Sequence, residues 1–180
     1  MAGRYGADRI PWGSAERIVE AFDRAFLEES ITPLEAVLRK EQLERLKFVR
    51  ERQYRFFGKR VRRLPQASVQ LALALERERI EFVDIDSAPM TLASTLRGDP
   101  SHANARTAIL ELFANDHGLP AWMAGDEGPS LLSPKEVKRL LETLESVKDQ
   151  WGAAQAIQPL TQLCAMARRC TPDDGILIQG

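Results

Sequence analysis

Two carboxylates, Asp84 and Asp86, have the spacing with which a β-strand would present a pair of catalytic acids. Alternate residues of a strand point to the same face, so the pair could bind a metal or act as general acid and base. His102 is the histidine that such a site would recruit, but no third ligand lies near the pair in the sequence. The alternative, which we favour, is that Asp86 caps a helix and Asp84 faces water.

The motifs of the common catalytic classes are not found in the sequence. It has no glycine-rich phosphate loop, no metalloprotease histidine pair and no Gly-x-Ser-x-Gly elbow. Cys164 and Cys170 would stand about 240° apart on one helix, so they are predicted to be reduced thiols rather than a disulfide. His102 and His117 lack the paired spacing of zinc ligands, and His117 fits a helix C-terminus. We therefore expect a protein that is not an enzyme, with no catalytic residues, no metal and no cofactor.

The strongest charge feature is the stretch from Arg45 to Arg63, called the basic strip below. It holds nine basic residues and one acid, Glu51, for a net charge of +8, whereas the whole chain carries −1. Interleaved aromatic residues could stack on bases while the cations bind phosphates, but the slightly acidic chain argues against nucleic acid. The alternatives are a solvated helix face and a protein partner, for which the candidate contacts are Arg52, Arg55, Arg60, Arg62 and Arg63.

A second candidate surface surrounds Trp122. The loop over 115–127 places acids beside this large aromatic residue, and its candidate contacts are Asp116, Trp122, Asp126 and Glu127. Aromatic anchors ringed by charge are typical of hot spots in protein interfaces. The alternative, which the sequence leaves open, is that Trp122 folds back to fill the core.

The elements that must position these residues are mainly helices. Apolar residues at helical spacing predict a helix over 15–29, with Ser14 as its N-cap. Thr32 and Glu35 have the spacing of a capping box and predict a second helix that continues to Phe57. The other predicted helices lie over 67–79, over 87–97 after Asp86, from Asp99 to Gly118, from the capping box of Ser133 and Glu136 to Gly152, and from there to Cys170.

Strands are expected at few places. Residues 1–13 could be an edge strand or a flexible N-terminus, 80–85 a strand or a tight connection, 119–132 a loop, and 176–178 a final strand. Hydrophobic residues make up 44% of the chain and charged residues 28%, as in globular proteins. The sequence thus predicts an α+β fold over 1–180, a mainly helical single domain of about six or seven helices with a small sheet that includes the C-terminal strand.

Three segments of the C-terminal half resemble the YfbM-like family of small bacterial proteins. Ile85-Asp86-Ser87-Ala88, with Leu92, Leu96 and Gly98 after it, is similar to the family's "Leu-Asp-Lys-Ala-Trp" helix. The segment 128–137 is similar to its "Gly-Pro … Leu-Thr-Pro-Glu-Glu-Val" helix entry, and 175–178 to its closing strand. The resemblance implies an α+β fold with helices packed on a small sheet, and no established activity. Pro89 stands where the family usually has Trp, and Met90 and Ala93 where it tends to have His, so no site transfers.

The function expected from these observations is a non-enzymatic protein-binding module. More specifically, we expect a bacterial immunity protein that neutralises a toxin of interbacterial competition by occluding it. The sequence shows neither a signal core nor an apolar run of the roughly 20 residues that cross a membrane, so we expect a cytoplasmic protein without membrane contact. The alternative is a nucleic-acid-binding regulator that uses the basic strip.

Overall fold

The fold is built on a four-stranded antiparallel sheet with helices on both faces. The computed structural model describes residues 5–28, 30–46, 49–50, 62–63, 67–123 and 128–179. The strands are β1 Tyr5–Pro11, β2 Val49–Arg50, β3 Arg62–Arg63, β4 Glu81–Asp86, β5 Ser130–Leu132 and β6 Asp174–Gln179. The order in the main sheet is β4-β1-β6-β5, and β2 and β3 form a separate antiparallel pair. The expected α+β class, mainly helical with the C-terminal strand in the sheet, is confirmed.

Eight α-helices lie in the described part of the chain. They are α1 Trp12–Leu27, α2 Thr32–Val37, α3 Lys40–Arg45, α4 Ala67–Leu75, α5 Ala88–Thr95, α6 Ala103–Leu112, α7 Pro134–Ser146 and α8 Ile157–Arg169. None of the described helices is long and apolar enough to cross a membrane.

The sheet separates two hydrophobic cores. Ile176 and Ile178 of β6 join the core formed by α5 to α8, whereas Leu177 joins the core formed by α1 to α4. Because β6 is buried on both faces, its sequence is a continuous apolar run rather than an alternating one. The strand predicted from Ile176 to Ile178 is thus confirmed, and it explains how helices can pack on either side.

Strand β1 lies inside the sheet, so the expected edge strand or flexible N-terminus is wrong for Tyr5–Pro11. It pairs with β4 on one side and with β6 on the other. Gly6, Asp8 and Pro11 gave this strand the composition of an edge. The structure accommodates the buried charge of Asp8 through a distant arginine, Arg79.

The first two predicted helices differ from the structure in their bounds. Helix α1 begins at Trp12, with Pro11 rather than Ser14 as its N-cap. The long second helix is wrong, because Leu38 and Arg39 have extended backbone and separate α2 from α3. The Gln42 side chain stabilises this break, since its Oε1 accepts the Arg39 N–H at 2.8 Å and its Nε2 donates to the Ala74 carbonyl at 3.0 Å.

Other boundaries follow local signals more closely. Ser133 caps α7 as predicted, and its backbone N–H donates to Glu136 Oε2 at 2.8 Å. Helix α5 has Ser87 as its N-cap, so Asp86 is not the cap residue that we predicted. The predicted loop over 119–132 ends in a short strand, β5, which pairs with β6.

Candidate functional site

One stripe of α1 combines exposed acids with exposed apolar residues. The buried face of the helix consists of Ala15, Ile18, Ala21, Phe22 and Ala25, which pack into the core with β6 and α4. At the spacing i, i+4, i+7 and i+11, one line along the other side is formed by Glu16, Glu20, Asp23 and Leu27. Leu27 is 70% exposed, and the neighbouring Phe26 is 51% exposed.

Trp122 is fixed against this helix. Its indole Nε1 donates a hydrogen bond of 2.6 Å to Asp23 Oδ1. Its ring stacks on Phe26 with 4.1 Å between centroids and 5° between planes. The partly buried Trp122 also packs against the α1 core, so it neither projects freely from the loop nor fills the core completely. We call Glu16, Glu20, Asp23, Phe26, Leu27 and Trp122 the α1 surface.

The loop that presents Trp122 is closed by backbone pairing. The Leu131 N–H donates to the His117 carbonyl at 2.8 Å, and the Asp116 N–H donates to the Pro129 carbonyl at 3.1 Å. Gly118 has φ +75°, where a side chain would be strained, and a Cβ there would lie 2.1 Å from the Leu131 oxygen. This closure sets the position from which the segment Ala121–Met123 reaches α1.

His117 ties the same loop to the start of α7. Its Nε2 lies 2.8 Å from Glu136 Oε1, while the Ser133 hydroxyl donates to Glu136 Oε2 at 2.7 Å. Partial burial raises the pKa of Glu136, but hydrogen bonds from Ser133 and His117 outweigh this and leave the pKa below its ordinary value. The serine hydroxyl is bound to the carboxylate rather than to the imidazole, so the group is a helix cap and not a nucleophile with its base.

We expect Glu136→Gln to cost about 1 kcal/mol of stability at neutral pH, because a neutral amide replaces the charged acceptor of the Ser133 and His117 hydrogen bonds, and hydrogen bonds to charged groups are the stronger ones. Since folding lowers the pKa of Glu136, its stabilising contribution is present above the ordinary pKa of 4.5 and is lost as the pH falls below that value. Urea unfolding of both proteins at pH 7 and pH 3 should show the difference shrinking at pH 3. Glu142→Gln, an exposed change on α7, is the control, and a pH-independent difference would contradict the expectation.

The carboxylates that could have been catalytic have local structural partners. Asp84 is exposed, as expected, and its Oδ1 accepts the Asp86 N–H at 3.1 Å. His102 Nδ1 lies 3.0 Å from Asp99 Oδ2, and Asp99 Oδ1 accepts the Ser101 hydroxyl at 2.6 Å. In the described ranges, no group of three His, Cys, Asp or Glu residues could hold a metal ion.

The two cysteines are free thiols in the structure, as predicted. Cys164 is buried on α8, and Cys170 follows the end of that helix. Burial raises the pKa of each thiol to about 11, so both are protonated and weakly nucleophilic at neutral pH.

On the other side of the sheet, an open depression of about 560 Å³ runs along α7. Several of its charged side chains pair within the structure: Lys138 Nζ lies 3.8 Å from Glu142 Oε1, and Arg139 Nη2 lies 2.7 Å from Glu111 Oε2 on α6. These side chains therefore form separate ion pairs, one along α7 and one between α7 and α6, instead of converging on one point.

The predicted partner contacts fall into three groups. Trp122 reaches the exposed α1 surface, whereas Asp116 packs inside the loop, where a Cβ on Gly128 would lie 1.5 Å from its Oδ1. Arg62 and Arg63 form β3, of which only the backbone is described. The remaining candidates lie outside the described residues: Arg52, Arg55, Arg60, Asp126 and Glu127.

Sequence reasoning missed Phe26 and Leu27 as surface residues. Phe26 belongs to the apolar repeat that predicted α1, and nothing in that repeat distinguishes an outward ring from an inward one. Leu27 gave a better signal, because it lies on the line of Glu16, Glu20 and Asp23 and therefore on the polar side of the helix.

The fold and surface define a mainly helical α+β protein with an exposed aromatic and acidic face. A scan against models of known protein families, a search of curated proteins and a search of solved structures gave no match. The resemblance to the YfbM-like family therefore stays a prediction.

Proposed function

We propose that this protein is a non-enzymatic binding module that captures a protein partner through the α1 surface. The observation that carries the proposal is the stack of Phe26 on Trp122, which holds two aromatic rings in place beside the exposed Leu27. Covering a large apolar side chain is worth about 1.5–3 kcal/mol. In a protein interface, a small number of such residues supplies most of the affinity.

The aromatic part of this surface is also held in place before any partner arrives. The Asp23 hydrogen bond fixes the indole, and the paired backbone of the loop fixes the segment that bears it. A partner therefore does not have to immobilise these side chains, which would otherwise cost about 0.5–1.5 kcal/mol for each. A preformed surface of this kind suits inhibition by occlusion.

The partner class that we propose is a bacterial toxin domain, which makes the protein a cytoplasmic immunity protein. Occlusion requires a stable complementary surface and no catalytic group. The test is to express the chain with the product of a neighbouring toxin-like gene and to purify the two together. A lack of any stable complex, with no protection of cells that express the toxin, would end this proposal.

We expect Leu27→Ser to weaken partner binding at least about tenfold, because it removes the most exposed large apolar side chain of the α1 surface. Leu27 is 70% exposed, so the change should leave the stability of the free protein nearly unchanged. Calorimetric titration of the purified partner measures the effect. The matched control is Ile157→Ser on α8, which removes an apolar side chain of similar exposure, 59%, on another helix; equal affinities for both variants would contradict the proposed surface.

The second candidate function is nucleic-acid binding by the basic strip. The specific observation is that Val49–Arg50 and Arg62–Arg63 pair as antiparallel strands, although the helix predicted to Phe57 included Val49 and Arg50. Two-stranded ribbons are one way in which proteins enter a DNA groove. A gel-shift series with duplex DNA from 50 to 300 mM salt tests it, since phosphate contacts give steep salt dependence. No binding at the lowest salt concentration would exclude this function.

A further inference from the structure

The acids of the α1 surface form no salt bridge with a basic side chain, whereas several acids elsewhere in the described part of the chain do. Within the described part of the chain, Glu16 and Glu20 make no ion pair, and Asp23 accepts its hydrogen bond from neutral Trp122. By contrast, Glu28 at the end of the same helix lies 3.1 Å from Arg24. Like charges at i and i+4 repel one another by a few tenths of a kcal/mol, and a cation placed against the stripe would relieve this repulsion.

Apolar side chains lie at one end of the stripe only. Glu16 and Glu20 occupy the first half of α1, while Phe26, Leu27 and Trp122 lie at its C-terminal end. From Glu16 to Leu27 the line is about 16 Å long at 1.5 Å per residue. A complementary ligand must therefore place positive charge and apolar surface side by side over about three helical turns.

We propose that the α1 surface recognises a cationic amphipathic segment of the partner, with lysine or arginine against Glu16 and Glu20 and apolar side chains against Phe26 and Leu27. This inference rests on the proposed function and adds the chemistry of the partner to it. Opposite charge would orient the approaching segment and speed its association, and the aromatic end would hold it. The same carboxylates would repel nucleic-acid phosphates from this face.

The test uses the full chain and two dye-labelled helical peptides of 18 residues. Both peptides carry the same leucine seam, and the other positions are lysine in one and glutamine in the other. Fluorescence anisotropy should show at least tenfold tighter binding of the lysine peptide at 50 mM salt, and a smaller difference at 300 mM. Equal binding of the two peptides, or no binding of either, overturns the inference.

Charge reversal then locates the site. The double variant Glu16→Lys with Glu20→Lys should bind the lysine peptide at least tenfold more weakly than the parent protein. The control, Glu142→Lys with Asp149→Lys, makes the same change of charge on the other side of the sheet. It should bind the peptide with an affinity within twofold of the parent. Equal losses in both variants would mean a general effect of net charge and would overturn the inference. If binding of a toxin-like partner depends on Leu27 but not on Glu16 and Glu20, the proposed function stands. Only the inference that the partner segment is cationic would then be wrong.

Discussion

Arg79→Ala is expected to destabilise the fold by about 3 kcal/mol at pH 7, because it leaves a buried carboxylate without its cation. The side chain of Asp8 is 1% exposed on the interior strand β1, whereas that of Arg79 is 34% exposed. Arg79 pairs with both oxygens of Asp8, with Nη2 at 3.1 Å from Oδ2. After the change, Gln179 Nε2 at 3.0 Å remains as the donor to this carboxylate.

The pH dependence distinguishes the buried charge from other causes. Burial raises the pKa of Asp8, and although Arg79 and Gln179 lower it, the pKa stays above its ordinary value of 3.8. Removal of Arg79 should raise this pKa further. An acid whose pKa is raised by folding lowers the free energy of unfolding when the pH is above that pKa. This loss becomes smaller as the pH decreases towards 3.8. Urea unfolding should therefore show a smaller deficit of Arg79→Ala at pH 4 than at pH 7.

A second variant distinguishes the loss of the ion pair from a simple loss of packing. Arg79 also lies over the Phe82 ring, with its Cζ 4.9 Å from the centroid. Combining Arg79→Ala with Asp8→Asn should recover most of the lost stability, because no buried charge is left unpaired. The exposed neighbour Arg77→Ala serves as the control. A deficit that persists in the double variant and does not change with pH would assign the effect to the contact with Phe82.

The same ion pair shows why the position of β1 could not be predicted from its sequence. Charged residues within a strand are typical of an edge, and Asp8 is stabilised inside the sheet by Arg79 and Gln179. The two residues are 71 positions apart in the chain. Local pattern cannot predict such a partner, so the sequence indicated a strand in this region but not its place in the sheet.

Where the determining contacts are local, the sequence was sufficient. The cap of α7 depends on Ser133 and Glu136, which are three residues apart, and the closing strand depends on a run of apolar residues. The break between α2 and α3 depends instead on Gln42 bonding to Ala74 in α4, 32 positions away. The predicted helix to Phe57 failed because helical periodicity alone does not include that contact.

The candidate site also depends partly on signals that the sequence shows and partly on distant contacts that it does not. Trp122 was singled out from its type and its acidic loop, but its position depends on Asp23, 99 residues earlier in the chain. The stack with Phe26 turns a loop residue into part of a helix surface. Sequence reasoning could therefore name one member of the α1 surface, while the stripe of acids on α1 could be combined with it only after the two segments were placed together.

Gly118→Ala is expected to destabilise the protein by about 3 kcal/mol, since an alanine there would adopt an unfavourable positive φ and meet a backbone oxygen. The Cβ would lie 2.1 Å from the Leu131 carbonyl oxygen. That oxygen belongs to β5, which pairs with β6, and the Leu131 N–H already donates to His117 at 2.8 Å. Relief of the clash must therefore open the loop or shift an edge of the sheet.

The matched control is Gly13→Ala in the first turn of α1, where a Cβ would meet nothing within 4 Å. Alanine is favoured over glycine in a helix by about 1 kcal/mol, so this variant should be slightly more stable than the parent. Thermal unfolding measures both changes. Gly118→Ala should also weaken partner binding at temperatures where it remains folded, because the closed loop holds Trp122 against Phe26 and Asp23. Full affinity in a folded Gly118→Ala protein would show that the contact with α1 fixes the indole without help from the loop closure.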